Sequence, residues 1–264
     1  MNIVIGTAAL LPWTELEAWA RTLQRHTPYT RNVLLADPAE HYRELERYGI
    51  EVIDANLLDE GRAGVCKYRW REIANFLERQ SAHAYVLTTD TRDVVFQANP
   101  FAFIARDDVS VRVPGEGIKL GDEMWNWTAL NVLAPKTAES LRDREVVCAG
   151  VVCGPALSMY DLATALFKYS PRGWLDQSLL NVLTYAPLTI MDWAPRVEVI
   201  PNDAGWVAQC GVALAPRLAC LREKFTCDPP PVSFGRPVTP ISNLRYAIVH
   251  QYDRVPELLG LRNL

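Results

Sequence analysis

The stretch from Tyr85 to Phe101 narrows the possible folds of this chain more than any other. Its first residues, Tyr85-Val86-Leu87-Thr88-Thr89, are apolar or β-branched and predict a buried strand. The run stops at two carboxylates, Asp90 and Asp93, and Asn99-Pro100 marks a turn beyond them. In a chain of alternating strands and helices, the carboxyl end of a buried strand is where open α/β sheets bind ligands. Two carboxylates there offer hard oxygen donors for Mg²⁺ or Mn²⁺, ions held by one or two carboxylates together with substrate phosphates. Side chains three apart on a continuous strand point to opposite faces. Asp90 and Asp93 therefore converge only if the strand ends at Asp90 and the chain turns. The alternative is a surface turn that Asp90 caps and in which Arg92 pairs with Asp93.

The segment Thr89-Asp90-Thr91-Arg92-Asp93-Val94-Val95-Phe96-Gln97, closed by Asn99-Pro100-Phe101, resembles the aspartate motif of GT-A nucleotide-sugar glycosyltransferases, the family-8-like enzymes among them. That motif is usually Asp-x-Asp and carries the metal and the donor diphosphate; here the spacing is Asp-x-x-Asp. The resemblance implies an α/β fold of GT-A (Rossmann-like) type, with a central, mostly parallel sheet flanked by helices. It implies a nucleotide-sugar donor, UDP-sugar favoured, Mn²⁺ or Mg²⁺ as cofactor, and a saccharide or lipid-linked saccharide acceptor. By position, Asp90 and Asp93 would hold the metal, with Asp90 also at the donor diphosphate. Thr7 and Ala8 would lie at the nucleotide, and Arg71 and Arg92 would stabilise leaving-group charge.

The chain in order fits that architecture. Asn2–Ala9 reads as a first strand ending in small residues that let a ligand approach the backbone. Trp13–His26 carries Leu16, Trp19, Ala20 and Leu23 at helical spacing. Strands over 32–37 and 51–54 flank a short helix, Ala39–Tyr48, stopped by Gly49. This βαβαβ order predicts a parallel sheet with right-handed crossovers. Cys66–Gln80 is the next helix, with Trp70, Ile73, Ala74 and Leu77 on one face and Lys67, Arg71 and Asn75 on another. Lys67 reads as solvated; Arg71 is the better candidate for the nucleotide or diphosphate.

Beyond Phe101, a strand over 109–113 leads to a turn at Pro114-Gly115-Glu116-Gly117, and Gly121–Trp127 forms a polar, aromatic loop. Flat amphipathic rings such as Trp125 and Trp127 suit a sugar face, or equally a lid on the core. Val146–Pro155 reads as one buried strand with glycines inside it, which mark close approach. It resembles the acceptor-side strand of many GT-A enzymes, although Cys148-Ala149 precedes the glycine. Gly173-Trp174-Leu175-Asp176-Gln177 matches the family's Asp-Gln helix start, and Asp176 is also a good N-cap. Pro229-Pro230-Pro231, Pro237 and Pro240 make a stiff segment suited to lie over a site. The strand Tyr246–His250 then resembles the one whose late histidine completes the metal site, so His250 is the implied third ligand.

These elements predict a single GT-A-like domain over 1–264, with a nucleotide-sugar half at roughly 1–115 and an acceptor half at roughly 116–264. The resemblance implies metal-dependent transfer of a sugar, with bacterial surface polysaccharide as the analogous setting. Two stereochemical routes are open. Inversion needs a carboxylate base at the acceptor hydroxyl, with Glu116, Asp122 and Glu123 as candidates; retention, slightly favoured, places Asp176 at the reacting centre. The altered aspartate spacing motivates a second reading, a catalytically silent nucleotide- or carbohydrate-binding protein. A sugar-phosphate nucleotidyltransferase is disfavoured, because no Gly-rich N-terminal loop with basic residues is visible.

Composition sets the remaining bounds. With 49% hydrophobic and 22% charged residues the chain can build a large core, and a net charge of −4 argues against a general nucleic-acid surface. None of the six cysteines forms a Cys-x-x-Cys pair, which disfavours structural zinc. The opening Met1–Gly6 is strand-like without a charged leader region, and no apolar run is long enough to span a bilayer. The expectation is a cytoplasmic protein with reduced thiols, for which peripheral membrane association is left open.

Overall fold

The computed structural model describes residues 1–61, 64–104, 110–170, 176–190, 192, 195–211, 230–240 and 242–263. Cys220, Cys227, Pro229 and Gly173-Trp174-Leu175 lie outside the described residues. The first half alternates as expected: β1 Asn2–Ala9, α1 Trp13–His26, β2 Arg31–Asp37, β3 Ile50–Asp54, α2 Val65–Leu77, β4 Tyr85–Thr89 and β5 Val94–Phe96. Ala39–Tyr48 is a 3₁₀ helix, closed by Gly49 in the left-handed region (φ 72°). The second half comprises β6 Ser110–Lys119, α3 Met124–Leu133, α4 Pro135–Leu141, β7 Glu145–Val147, β8 Val151–Pro155, α5 Ala156–Tyr169, α6 Asp176–Tyr185, β9 Arg196–Ile200, β10 Val207–Gln209, β11 Val232–Ser233, β12 Arg236–Pro237 and β13 Ile248–His250.

The main sheet has eight strands in the order β3-β2-β1-β4-β8-β6-β7, with β9 joined to β6. Strands β3, β2, β1 and β4 are mutually parallel; β8 runs against both β4 and β6, and β9 lies parallel to β6. Most strands therefore share one direction, the mostly parallel α/β sheet expected. Fully buried Ile3, Ile5, Val33 and Val86 on one side pack with α2 and α5, while Val4, Leu34, Leu87 and α1 residues Leu16, Trp19 and Leu23 make the other layer. Burying a side chain of this size favours folding by about 1.5–3 kcal/mol relative to exposure, which is why the near-continuous apolar strands sit here.

Three local expectations change. Pro114-Gly115-Glu116-Gly117 is not a turn, since β6 continues to Lys119 and places Glu116 within the strand. A Cβ on Gly115 would collide with the Glu145 carboxylate, so close packing, not chain reversal, is the reason for that glycine. Val146–Pro155 is two strands, β7 and β8, interrupted at Cys148-Ala149-Gly150. Residues 121–127 are not an open loop: Glu123 caps α3 by accepting hydrogen bonds from the Trp125 and Asn126 amides.

A second, three-stranded sheet, β10-β13-β5, carries the chemistry. β13 runs antiparallel to β5, with His250 opposite Val94. The last strand thus returns beside the residues that follow Asp93. None of the described helices is long and apolar enough to cross a membrane. The described prolines Pro230 and Pro231 lead into the β11–β12 hairpin.

Candidate active site

The site begins where β4 ends. Gly6 of β1 stands in register with Thr89, so Thr7, Ala8 and Ala9 run on past the end of β4 and flank Asp90. Four contacts fix the turn that follows. The Trp19 indole N–H donates to Thr89 Oγ1 (2.9 Å), and the Thr91 hydroxyl donates to the Thr7 carbonyl (2.9 Å). The Asp90 amide donates to the Gly150 carbonyl (2.7 Å), and the Gln251 amide to the Asp93 carbonyl (2.7 Å). A Cβ on Gly6 would meet Thr91 and Trp19, so this glycine serves the packing of the turn and not, as its sequence context suggested, ligand access. Pinned at four points, the chain bends so that carboxylates three residues apart converge.

They converge on His250. Its Nε2 lies 3.4 Å from Asp90 Oδ2 and 3.9 Å from Asp93 Oδ1, and one donor atom from each residue falls within 4.8 Å of the others. His250 is 1% exposed and Asp93 5% exposed, too enclosed for an accidental surface cluster. Gly150 closes the site from β8's side: an added Cβ would stand 2.7 Å from His250 Nε2 and 2.8 Å from Asp90 Oδ2. On the far edge of the imidazole, Nδ1 is 2.7 Å from Gln209 Oε1 and 3.4 Å from Cys148 Sγ. The glutamine oxygen accepts from Nδ1–H, which leaves the Nε2 lone pair facing the aspartates. Among the described residues Nε2 has no hydrogen-bond partner.

An orphaned buried nitrogen, two carboxylates and the gap left by a missing Cβ fit a hard divalent cation such as Mn²⁺ or Mg²⁺. The electrostatics agree. Burial alone would raise the Asp90 pKa, but Arg69 and then His250 hold it well below the carboxylate range. Asp93 is raised, by burial first and by the Asp90 charge, against the pull of His250. Burial would depress His250, yet Cys148 and the aspartates raise it well above its ordinary value. The cluster thus carries negative charge that a proton on His250 or a bound cation must balance.

Arg69 is one residue that sequence reasoning missed. Its guanidinium donates to Asp90 Oδ1 (2.6 Å) and to Asp176 Oδ2 (2.5 Å), and the Trp70 indole N–H joins it on Asp176 (3.0 Å). Arg71 is placed elsewhere, bound to Asp59, Glu72 and the Asn56 carbonyl. Lys67 stacks over Tyr68 and Phe167. Arg92 lies 3.5 Å from both Asp93 and Asp253, so the Arg92–Asp93 pair exists, but against a buried carboxylate.

A groove of about 340 Å³ opens over these groups, within the range of small-molecule sites. Thr7, Ala8, Asp90, Arg92 and Asp93 line it as expected, together with Cys66, Arg69, Gln251 and Arg254, which were not expected. The remaining candidates, Asp176, Glu116, Asp122 and Glu123, are not among its lining residues. Gln177 donates to Glu116 Oε1 and Asn126 Oδ1, both at 3.2 Å. Burial, then the Glu123 charge, push the Glu116 carboxyl up to about 7. Glu123 itself is committed to the α3 cap, and Asp122 is exposed.

No family model matches the sequence, and no curated protein matches it. Solved structures do match. The galactosyltransferase LgtC in complex with donor and acceptor sugar analogs is 15% identical with a TM-score of 0.51, over 95% of this chain and 86% of that one. The apo-form glycosyltransferase GlyE of Streptococcus pneumoniae TIGR4 is 14% identical with a TM-score of 0.50, covering 94% of this chain and 54% of GlyE. The bifunctional glycosyltransferase WbbM is 12% identical with a TM-score of 0.51, over 94% and 45%. The chain thus spans about half the length of GlyE and WbbM and most of LgtC. The fold is the GT-A-like fold that these glycosyltransferases share.

Proposed function

We propose that the protein is a metal-dependent glycosyltransferase moving a sugar from a nucleotide diphosphate, a UDP-sugar by preference, to a saccharide acceptor. The observation that carries this reading is the convergence of Asp90, Asp93 and the buried His250, with the two aspartates lining a groove that also contains the end of β1. Asp90, Asp93 and His250 would hold Mn²⁺ or Mg²⁺, which when bound supplies positive charge against a diphosphate leaving group. The protein's own part is positioning. Thr7 and Ala8 offer backbone to the nucleotide, while Arg92 and Arg254 bring fixed positive charge to the groove. Arg69 and Trp70 clamp Asp176 in one orientation, and Glu116 with Asn126 orients the Gln177 amide. Asp176 held beside the aspartates suits retention, and the capping role of Glu123 removes one candidate base for inversion.

A donor-hydrolysis screen of nucleotide sugars with Mn²⁺ tests the proposal, with Asp93→Ala as the control. Turnover should require the metal and vanish in the variant while the fold persists. Activity of Asp93→Ala within about tenfold of wild type, roughly 1.4 kcal/mol of barrier, rejects Asp93 as a ligand. One observation favours the silent binding protein instead: Asp90 is already paired with Arg69 at 2.6 Å. Calorimetry with UDP-sugars separates the two, since metal-independent binding without turnover supports the silent protein.

A further inference from the structure

The β11–β12 hairpin ends in a feature that neither the core nor the groove explains. Phe234 and Gly235 form its two-residue turn, both in the left-handed region (φ 49° and 70°). Asn and Gly are the residues such a turn prefers, and a bulky residue at positive φ is uncommon. Phe234 is 101% exposed, so its ring makes no contact that compensates for that strain. Leu244 (63% exposed) and Val232 (40%) add apolar surface nearby in the chain.

Positive charge rings this tip. Arg236 follows the turn directly, and the Val238–Arg245 bridge brings Arg245 alongside the hairpin. Arg25, in the last turn of α1, reaches the same region: its charge and that of Arg245 act on Arg236, whose pKa burial and these neighbours depress. His26 is likewise lowered, by burial first and then by Arg25 and Arg236. No ion pair among the described residues engages Arg25, Arg236 or Arg245. Like charges gathered from three segments around a protruding apolar apex match a headgroup layer, in which arginines meet phosphates while the ring enters the acyl boundary.

We propose that the Phe234 tip and the arginines around it, Arg25, Arg236 and Arg245, form a docking surface for a bilayer containing anionic phospholipids. α1 runs from the end of β1 to the start of β2, so its last turn lies at the amino ends of these parallel strands, opposite the end that carries Asp90. Docking there leaves the groove open. The proposal rests on no part of the glycosyltransferase reading.

Co-sedimentation with phosphatidylcholine vesicles, with and without phosphatidylglycerol, tests it on the full chain. Binding should require phosphatidylglycerol and weaken as salt is raised. Phe234→Asn places a residue favoured at positive φ in the turn, so the hairpin keeps its stability while losing its apolar tip. Partitioning should fall by at least about tenfold for that variant, and by at least about fivefold for Arg236→Glu or Arg245→Glu. Mn²⁺ binding and thermal unfolding should be unchanged in all three. Equal binding to the two vesicle types overturns the proposal, as does wild-type partitioning in the variants. So does a chain that binds an acidic protein but neither vesicle.

Discussion

His250 Nε2 stands 3.4 Å from Asp90 Oδ2, and the position a Cβ on Gly150 would take lies within 2.8 Å of both atoms. The space between a base and an acid far apart in sequence is thus set by the absence of a side chain on a third residue. Contacts under 3.0 Å force something to move, and here the neighbours are the proposed metal donors. Gly150→Ala should therefore remove most Mn²⁺ affinity and lower stability by about 1–3 kcal/mol, the usual cost of overpacking. Manganese titration followed by electron paramagnetic resonance, beside chemical denaturation, reads both. Wild-type affinity in the variant would show that the gap is not where the ion sits.

Gln209 should matter without touching the cation. Its oxygen fixes the proton of His250 on Nδ1, and losing such an outer partner typically lowers metal affinity by about 10–100-fold. Gln209→Leu is expected to do this while Gln209→Glu, which keeps an acceptor, retains most of the affinity. Equal Mn²⁺ affinity in the leucine variant would rule out the orienting role.

The parts legible in the sequence were those with a periodic or positional signal. The strand ending at Ala9 follows from its small residues and those at Thr89 and His250 from apolar runs that stop at polar residues, which places Thr7, Asp90 and His250 at strand ends. Arg69 carried no such signal. Helical period marks which side of α2 is apolar, and Arg69 sits at the margin of that side, beside Trp70, where a charge reads as solvated. Its partners, Asp90 and Asp176, are distant in sequence. Gln209 belongs to a three-residue strand within irregular chain, and its partner is 41 residues away. Glu116 was misplaced because Pro-Gly-x-Gly mimics a turn, whereas here Gly115 makes room for the Glu145 side chain within a continuing strand.

Glu116 predicts a pH dependence of stability. Its carboxyl moves from an ordinary value of 4.5 up to about 7, so the folded state binds this proton more tightly than the unfolded chain. That contribution is fully present below about pH 4.5 and is lost as pH rises through about 7. Glu116→Gln should flatten this part of the curve. Denaturant midpoints of both proteins at about pH 5 and about pH 7.5 should diverge with rising pH, wild type losing more. Parallel curves would mean that Glu116 ionises at its ordinary value.

Cys66 offers a reporter of groove occupancy. Part of it reaches the surface, yet enclosure by the groove wall and then the Asp176 and Asp90 charges push its thiol up to about 11. The thiolate is the reactive form. Alkylation at neutral pH should be slow, should quicken toward high pH, and should be suppressed by a UDP-sugar with Mn²⁺. Peptide mapping at Cys66 follows each. Rapid neutral labelling that ignores the nucleotide would place the thiol outside the binding path.

Arg69 allows architecture to be separated from chemistry. Its side chain is only 14% exposed and binds two carboxylates from elements far apart in sequence, Asp90 after β4 and Asp176 at the start of α6. Removing one partner of a buried pair leaves charge uncompensated and commonly costs about 3–5 kcal/mol. Arg69→Met should approach that range, because among the described residues Asp176 then retains only the Trp70 indole and the Gln177 amide as neutral donors. Asp176→Asn should cost less, since Arg69 keeps Asp90. If the pair acts as one unit, the double variant should be more stable than the sum of the single losses predicts, by about 1–3 kcal/mol. Mn²⁺ affinity supplies the second axis. Freed of Arg69, Asp90 becomes a stronger oxygen donor, so Arg69→Met should bind Mn²⁺ at least as tightly as wild type even while it is less stable. A variant that loses stability and metal together would instead make Arg69 a structural prop for the whole turn. Additive losses in the double variant would show that Arg69 and Asp176 are neighbours without being partners.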